Sequence, residues 1–160
     1  MTTSNQTLVE ELMITMKHLT TIFLSGLLLL GLASPVWAEA PEASGEKVVF
    51  HLDETASARW ALMLARSYSD DNPKASVVFV AYGPGIDFLL EDAKDKRGNP
   101  YEPAVLTLID RGVDFRVCAT TLTARSIAKE ELLDAVSVVP SGISEIVRLQ
   151  LKEGYAYLKP

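Results

Sequence analysis

Apolar residues in this chain recur in two rhythms, short unbroken runs and stripes at helical spacing, and the two alternate along its length. Lys47 to Leu52 is β-branched and aromatic and runs into Asp53-Glu54-Thr55, which predicts a strand followed by a helix cap. Over Ala56 to Tyr68, the positions Ala56, Trp60, Met63, Leu64 and Ser67 share one helical stripe, expected to cover a sheet, and Asp70-Asp71-Asn72-Pro73 stops that helix. Ser76 to Tyr82 is nearly continuous in apolar residues, as a strand buried on both faces should be. Gly83-Pro84-Gly85 ends it, and Ile86 to Leu90 predicts a short helical turn before a charged loop that contains Gly98-Asn99-Pro100.

A second amphipathic helix carries the stripe Tyr101, Val105, Leu108 and Ile109, with Gly112 placed to close it in the left-handed conformation. Val113 to Cys118 reads as a strand, Thr121 to Leu133 as helical or turn-like, and Ala135 to Val139 as a further buried strand. Pro140-Ser141-Gly142 is a turn. Ile143 to Glu153 is then a helix with Ile143, Ile146, Val147 and Leu151 expected inward, and Gly154 leads into a last strand, Tyr155 to Leu158. Tyr155 and Tyr157 alternate with Ala156 and Leu158, so they share one face of an expected edge strand, a face that another subunit would cover. Strands alternating with helices imply an α/β sandwich with a mostly parallel sheet, because parallel neighbours need crossover connections.

The N-terminus has a different character. Met16-Lys17-His18 opens a basic patch, Leu19 to Ala33 is almost entirely apolar, and Ser34-Pro35-Val36-Trp37-Ala38 presents small residues to a signal peptidase. Residues 1–38 are therefore expected to be a signal peptide cleaved after Ala38, since an apolar run of roughly 15 residues is too short to cross a bilayer. Glu10 and Glu11 fit poorly in such a leader, which points to Met16 as an alternative start. No cysteine stands at the cleavage site to carry a lipid. Residues 39–46 read as a flexible lead-in and residues 47–160 as one domain, placed in the periplasm or secreted and not stably inserted in a membrane.

The chain has 15 basic and 21 acidic residues, and removing Lys17, Glu10 and Glu11 with the leader leaves a net charge of −5. That balance argues against nucleic acid as a partner, since phosphate binding needs a basic face. Lys94-Asp95-Lys96-Arg97 lies beside Glu91 and Asp92 and reads as a solvated loop.

Cys118 is the only cysteine, so no internal disulfide can form. It is predicted at the carboxyl end of a strand where a helix begins, the position at which an open parallel sheet presents ligands. The positive end of the helix dipole favours thiolate, making Cys118 a candidate nucleophile or persulfide carrier. The competing reading is a buried small hydrophobe. His51 and Asp53 alternate with Val49 on one side of the first strand, where His51 either orients a neighbouring group or is a hydrogen-bonded core residue. One histidine and one cysteine in the mature domain do not make a zinc site, and neither metal nor cofactor is expected. No Gly-x-Ser-x-Gly elbow is present. Gly83 and Gly85 either hold backbone amides open to an anion or form a tight turn. Arg125 either helps hold an anionic sulfur species or is a surface arginine.

Together, Lys47-Val-Val-Phe-His51-Leu-Asp53-Glu54, Tyr82-Gly83-Pro84-Gly85, Val117-Cys118-Ala-Thr-Thr-Leu122, Val138-Val139-Pro140-Ser141-Gly142-Ile143, Leu149-Gln150 and Gly154-Tyr155-Ala156-Tyr157 resemble the DsrE/DsrF-like family across the mature domain. The resemblance implies a three-layer α/β/α domain with a five-stranded, mainly parallel sheet, assembled into trimers or hexamers. It also implies sulfur-relay chemistry in which a cysteine at the position of Cys118 accepts a persulfide sulfur and passes it on. Arg125-Ser126-Ile127 resembles the Arg-Gly-Val that follows in relay proteins, whereas Ala65-Arg66-Ser67-Tyr68 replaces asparagines found on the first helix of many relatives. An exported member would lie outside the reach of cysteine desulfurase and would take sulfur from thiosulfate, sulfide or polysulfide. The function expected is sulfane-sulfur handling by an exported homo-oligomer with Cys118 as carrier, its partners a sulfur donor and acceptor thiols. The alternatives are a non-catalytic oligomeric module of the same fold that binds a small ligand, and a structural or redox-sensing thiol.

Overall fold

Residues 45–160 are described by the computed structural model, and the expected signal peptide lies outside them. Five strands, β1 (Lys47–Leu52), β2 (Ser76–Ala81), β3 (Asp114–Cys118), β4 (Ser137–Val139) and β5 (Ala156–Leu158), form one sheet in the order β4-β3-β2-β1-β5. All four pairings are parallel, so the mainly parallel sheet inferred from the sequence is wholly parallel. The crossovers are made by α1 (Ala58–Asp71), α2 (Glu102–Ile109), α3 (Ala119–Arg125) and α4 (Gly142–Glu153), with 3-10 segments at Thr55–Ser57, Gly83–Leu89 and Lys129–Glu131.

The two sheet faces are covered differently. On one, Phe50, Phe79 and Phe115 lie in register across β1, β2 and β3 and stack with ring centroids 4.9 and 4.6 Å apart. Phe88 meets Phe115 edge-on at 6.3 Å. All four rings are fully buried, each contributing about 2–3 kcal/mol by removal from water. A one-residue slip of any strand would turn its ring to the opposite face, so the stack fixes the register. Over it pack α1, α2, the 83–89 segment and Leu122 of α3. On the other face α4 alone supplies the cover, with Ile146 and Leu149 on Val49, Val78, Val80 and Tyr155.

Two helices turn a different side to the sheet from the one expected. The buried residues of α1 are Ala58, Ala61, Leu62 and Ala65, while Trp60 is 55% exposed and Met63 50%. Three alanines at helical spacing let the helix approach a face already filled by phenylalanines, and the large side chains point away. In α4 the buried residues are Gly142, Ile146 and Leu149. Ile143, Val147 and Leu151, expected inward, are exposed.

The strand and helix limits also shift. Thr121 to Leu133 resolves into α3, which starts directly after Cys118, and the separate 129–131 turn. Ser126 ends α3 in the left-handed conformation at φ 53°. The fourth strand begins at Ser137 rather than Ala135, and the fifth at Ala156 rather than Tyr155. As expected, β5 is an edge strand, with Tyr157 on the same face as Val49.

Candidate functional site

β3 delivers Cys118 to the α4-covered face, opposite Val139 of β4, with no loop between strand and helix: Cys118 is itself the N-cap of α3. Its side chain therefore lies where two helices begin. The surrounding backbone N–H groups of Gly142, Thr121 and Thr120 and the Thr121 hydroxyl favour a negative sulfur there. Burial pushes the thiol up and is the largest single influence, but these donors together outweigh it and hold the thiol below its usual range. Cys118 is 6% exposed. The site is a shielded thiol with donors arranged for a negative sulfur.

Gly142 suits that arrangement. A Cβ at this position would stand 3.2 Å from Cys118 Cβ and 3.2 Å from Tyr82 Cδ1, tighter than ordinary packing, so a side chain here would crowd the thiol. Ser141 caps the helix, its hydroxyl accepting from Ser144 N at 3.3 Å. The Thr120 hydroxyl donates to Pro140 O at 3.1 Å, tying α3 to the turn before α4.

Thr121 joins the thiol to the glycine turn. Its Oγ1 accepts from Gly83 N at 3.0 Å, and the same hydroxyl favours the charged form of Cys118. Gly83 adopts φ 55°, and its carbonyl accepts from Arg125 Nη1 at 3.1 Å. Arg125 also pairs with Asp87 at 2.5 Å. Its guanidinium thereby ties the 83–89 segment to α3. The Gly83 N–H is bound by Thr121 and the Gly85 N–H by Tyr82 O at 3.0 Å, so the glycine turn is closed by its own hydrogen bonds. Gly85 is needed for chain crossing, since a Cβ there would fall 2.3 Å from Leu52 O.

His51 and Asp53 form a neighbouring cluster at the end of β1. His51 Nδ1 shares a hydrogen bond with Tyr157 Oη at 2.6 Å, and its ring stacks on Tyr82 at 4.7 Å. Burial lowers the imidazole pKa against the pull of Asp53, with Lys159 adding to the lowering. The neutral imidazole is thereby favoured. Its Nε2 is buried with no hydrogen-bond partner among the described residues. Asp53 is bound by Lys159 at 2.5 Å, and that bond foremost keeps its carboxyl below the usual range. Tyr82 lies between the two groups, stacked on His51 on one side and bounding the space at Gly142 beside Cys118 on the other.

Thr121 and Gly142 escaped the sequence reading as site residues, although both sit in stretches that had been singled out. Gly142 had a detectable signal: serine followed by glycine, between a strand and an amphipathic run, is a capped helix start with open amides.

Residues 47–160 match the DsrE/DsrF-like family. Among solved structures, a protein of unknown function from Methanobacterium thermoautotrophicum is 34% identical, with 72% of this chain and 99% of that one covered at a TM-score of 0.64. The YchN protein of E. coli is 18% identical, covering 72% of this chain and 99% of its own, with a TM-score of 0.62. A conserved protein of unknown function from Bacteroides thetaiotaomicron is 15% identical, covering 76% and 100% with a TM-score of 0.54. The last two likenesses establish the fold alone. No curated protein matches the chain. The family match over the whole described domain and the 34% identical structure agree, and the chain belongs to the DsrE/DsrF-like family.

Proposed function

We propose that this protein is an exported sulfane-sulfur carrier in which Cys118 is the persulfide-forming nucleophile. The observation that carries the reading is the position of Cys118 at the carboxyl end of β3, as N-cap of α3 and packed against the start of α4 at Gly142, surroundings that favour the charged sulfur despite its burial. With thiosulfate as donor, the Cys118 thiolate attacks the outer sulfur. A new S–S bond forms to Cys118, the S–S bond of thiosulfate breaks, and sulfite leaves with the bonding electron pair. The donors that stabilise the thiolate equally stabilise the persulfide anion. An acceptor thiolate then attacks the terminal sulfur and regenerates Cys118. Exposure of only 6% suits a slender inorganic donor and protects the persulfide from oxidation.

The carrier is proposed to work as a homo-oligomer, trimer or hexamer. Ile143, Val147 and Leu151 repeat at four-residue spacing along α4 and are 62%, 47% and 82% exposed, an apolar stripe suited to a second copy. Its export rests on the Leu19–Ala33 run and the Ala38 cleavage signal.

The test is intact-mass measurement after incubation with thiosulfate or polysulfide. A gain of one sulfur atom, reversed by reductant and absent in Cys118→Ser, is the expected result. An unmodified protein whose thiol alkylates with an ordinary pKa would overturn it. The burial of Cys118 supports one other reading, a non-catalytic oligomeric module that binds a small ligand, in which the cysteine only packs. In that case Cys118→Ser would retain both assembly and ligand binding and no sulfur would be gained.

A further inference from the structure

The charged loop after Leu90 is exposed, as its composition suggests, yet it is folded. Asp95 organises it: one carboxylate oxygen accepts from Arg97 N and Asn99 N, both at 2.9 Å, and the other receives Arg59 Nε of α1 at 3.0 Å. Arg59 also donates to the carbonyls of Asn99 and Pro100 at 2.6 and 2.5 Å, and its guanidinium lies over the Tyr101 ring at 4.3 Å. The hydrogen bonds of the Asn99 backbone and side chain, more than Arg59 itself, hold the Asp95 carboxyl down to about 2. The loop is thereby folded back against the start of α1, and a cavity of about 580 Å³ is left between them.

The cavity has an unusual charge for this protein. Arg59, Lys94, Lys96 and Arg97 line it, and Asp95, already fully engaged, is its only carboxylate, an excess of three positive charges in a chain of net charge −6. Every other arginine among the described residues has a carboxylate partner, namely Arg59, Arg66, Arg111, Arg116, Arg125 and Arg148; Arg97 has none there, and neither have Lys94 and Lys96. The adjacent Thr55–Ser57 turn that leads into α1 has no side-chain cap, and its Thr55 and Ala56 line the same space. Ala56 and Tyr101 add apolar wall.

We propose that this cavity binds a small organic molecule bearing two or more negative charges, as phosphate or carboxylate groups. Its volume lies within the usual range for metabolite sites, about 300–1,000 Å³, and leaves room for more than a bare oxoanion. The three uncommitted cations supply charge-assisted donors, and Tyr101 with Ala56 takes the non-ionic part of the ligand. Neither Cys118 nor any group donating to it lines the cavity, so the site is separate from the thiol chemistry and does not depend on it.

The test is calorimetric titration of the purified protein at low salt with two probes, citrate for a polycarboxylate and adenosine monophosphate for a phosphate ester. Saturable binding of one of them is expected. It should weaken about tenfold or more in each of Arg97→Gln and Lys96→Gln, since each removes a charge-assisted contact, and should be unchanged in Cys118→Ser. Both glutamine substitutions alter exposed side chains without ion pairs, so the fold is retained. The probe that binds identifies the anion class. Absence of saturation by both probes up to about 10 mM, or an affinity in the two glutamine variants unchanged from that of the parent chain, would overturn the proposal.

Discussion

Gly142, at the start of α4, closes on Cys118: a Cβ at 142 would stand 3.2 Å from Cys118 Cβ, tighter than ordinary packing. Two helix starts, one following β3 and one following β4, are thus brought onto a single thiol. The first consequence concerns its acidity. Iodoacetamide alkylation followed against pH should give a midpoint lower than that of the same cysteine in the unfolded chain. Gly142→Ala forces the start of α4 away and should raise the midpoint. An unchanged midpoint would show that the Gly142 amide does not act on the sulfur.

Thr121→Val tests the same cradle from the other helix. The substitution keeps the shape but removes the hydroxyl that Gly83 N–H donates to and that favours the charged form of Cys118. The thiol midpoint should rise, and unfolding should show a loss of about 1–2 kcal/mol from the orphaned Gly83 amide.

The two glycines of the turn should respond unequally. At Gly85 a Cβ would meet Leu52 O at 2.3 Å and Asp53 N at 2.8 Å, all backbone, so Gly85→Ala should cost about 3 kcal/mol or more or prevent folding. At Gly83 the nearest atom would be Asp53 O at 3.8 Å, and only the left-handed φ of 55° resists, so Gly83→Ala should cost about 1–2 kcal/mol. Urea unfolding of both variants checks the order.

His51 should make stability depend on pH. It binds a proton less readily folded than unfolded, so its contribution is complete above the ordinary pKa of about 6.5 and is lost as pH falls below that value through the lowered folded one. Urea midpoints compared at about pH 7.5 and about pH 5 should show the loss, and His51→Gln should reduce it. Tyr157→Phe removes the 2.6 Å bond to Nδ1 and should cost about 1 kcal/mol at neutral pH.

The apolar stripe on α4 should control assembly. Val147→Glu places a charge at its centre, on a side chain already 47% exposed, so the monomer should keep its fold. Light scattering on eluting protein should show an oligomer for the parent chain and a smaller species for the variant. A monomeric parent chain would remove this interface.

The strands were legible because a parallel sheet covered on both sides makes its central members apolar throughout, as in Lys47–Leu52 and Ser76–Ala81. The inward side of a helix was not. On α1 the sheet-facing residues are mainly alanines, less hydrophobic than the Trp60 and Met63 that face away, so a ranking by apolarity picks the wrong side. Close approach to a crowded sheet selects small side chains, and crowding is a property of the assembled layers.

The site divides in the same way. The sequence by itself determined a solitary thiol where a strand meets a helix, the alternation of strands and helices, and an acidic composition. Only the tertiary structure decided which groups face that thiol. Gly142 lies 24 positions further along the chain, and Gly83, which acts through Thr121, 38 positions from that residue. Arg125, close to Cys118 in sequence, is instead drawn to Asp87. Hydrogen bonds and close packing act over a few ångströms of space whatever the separation along the chain, and the parallel order β4-β3-β2-β1-β5 is what brings these distant helix starts and turns to one end of the sheet.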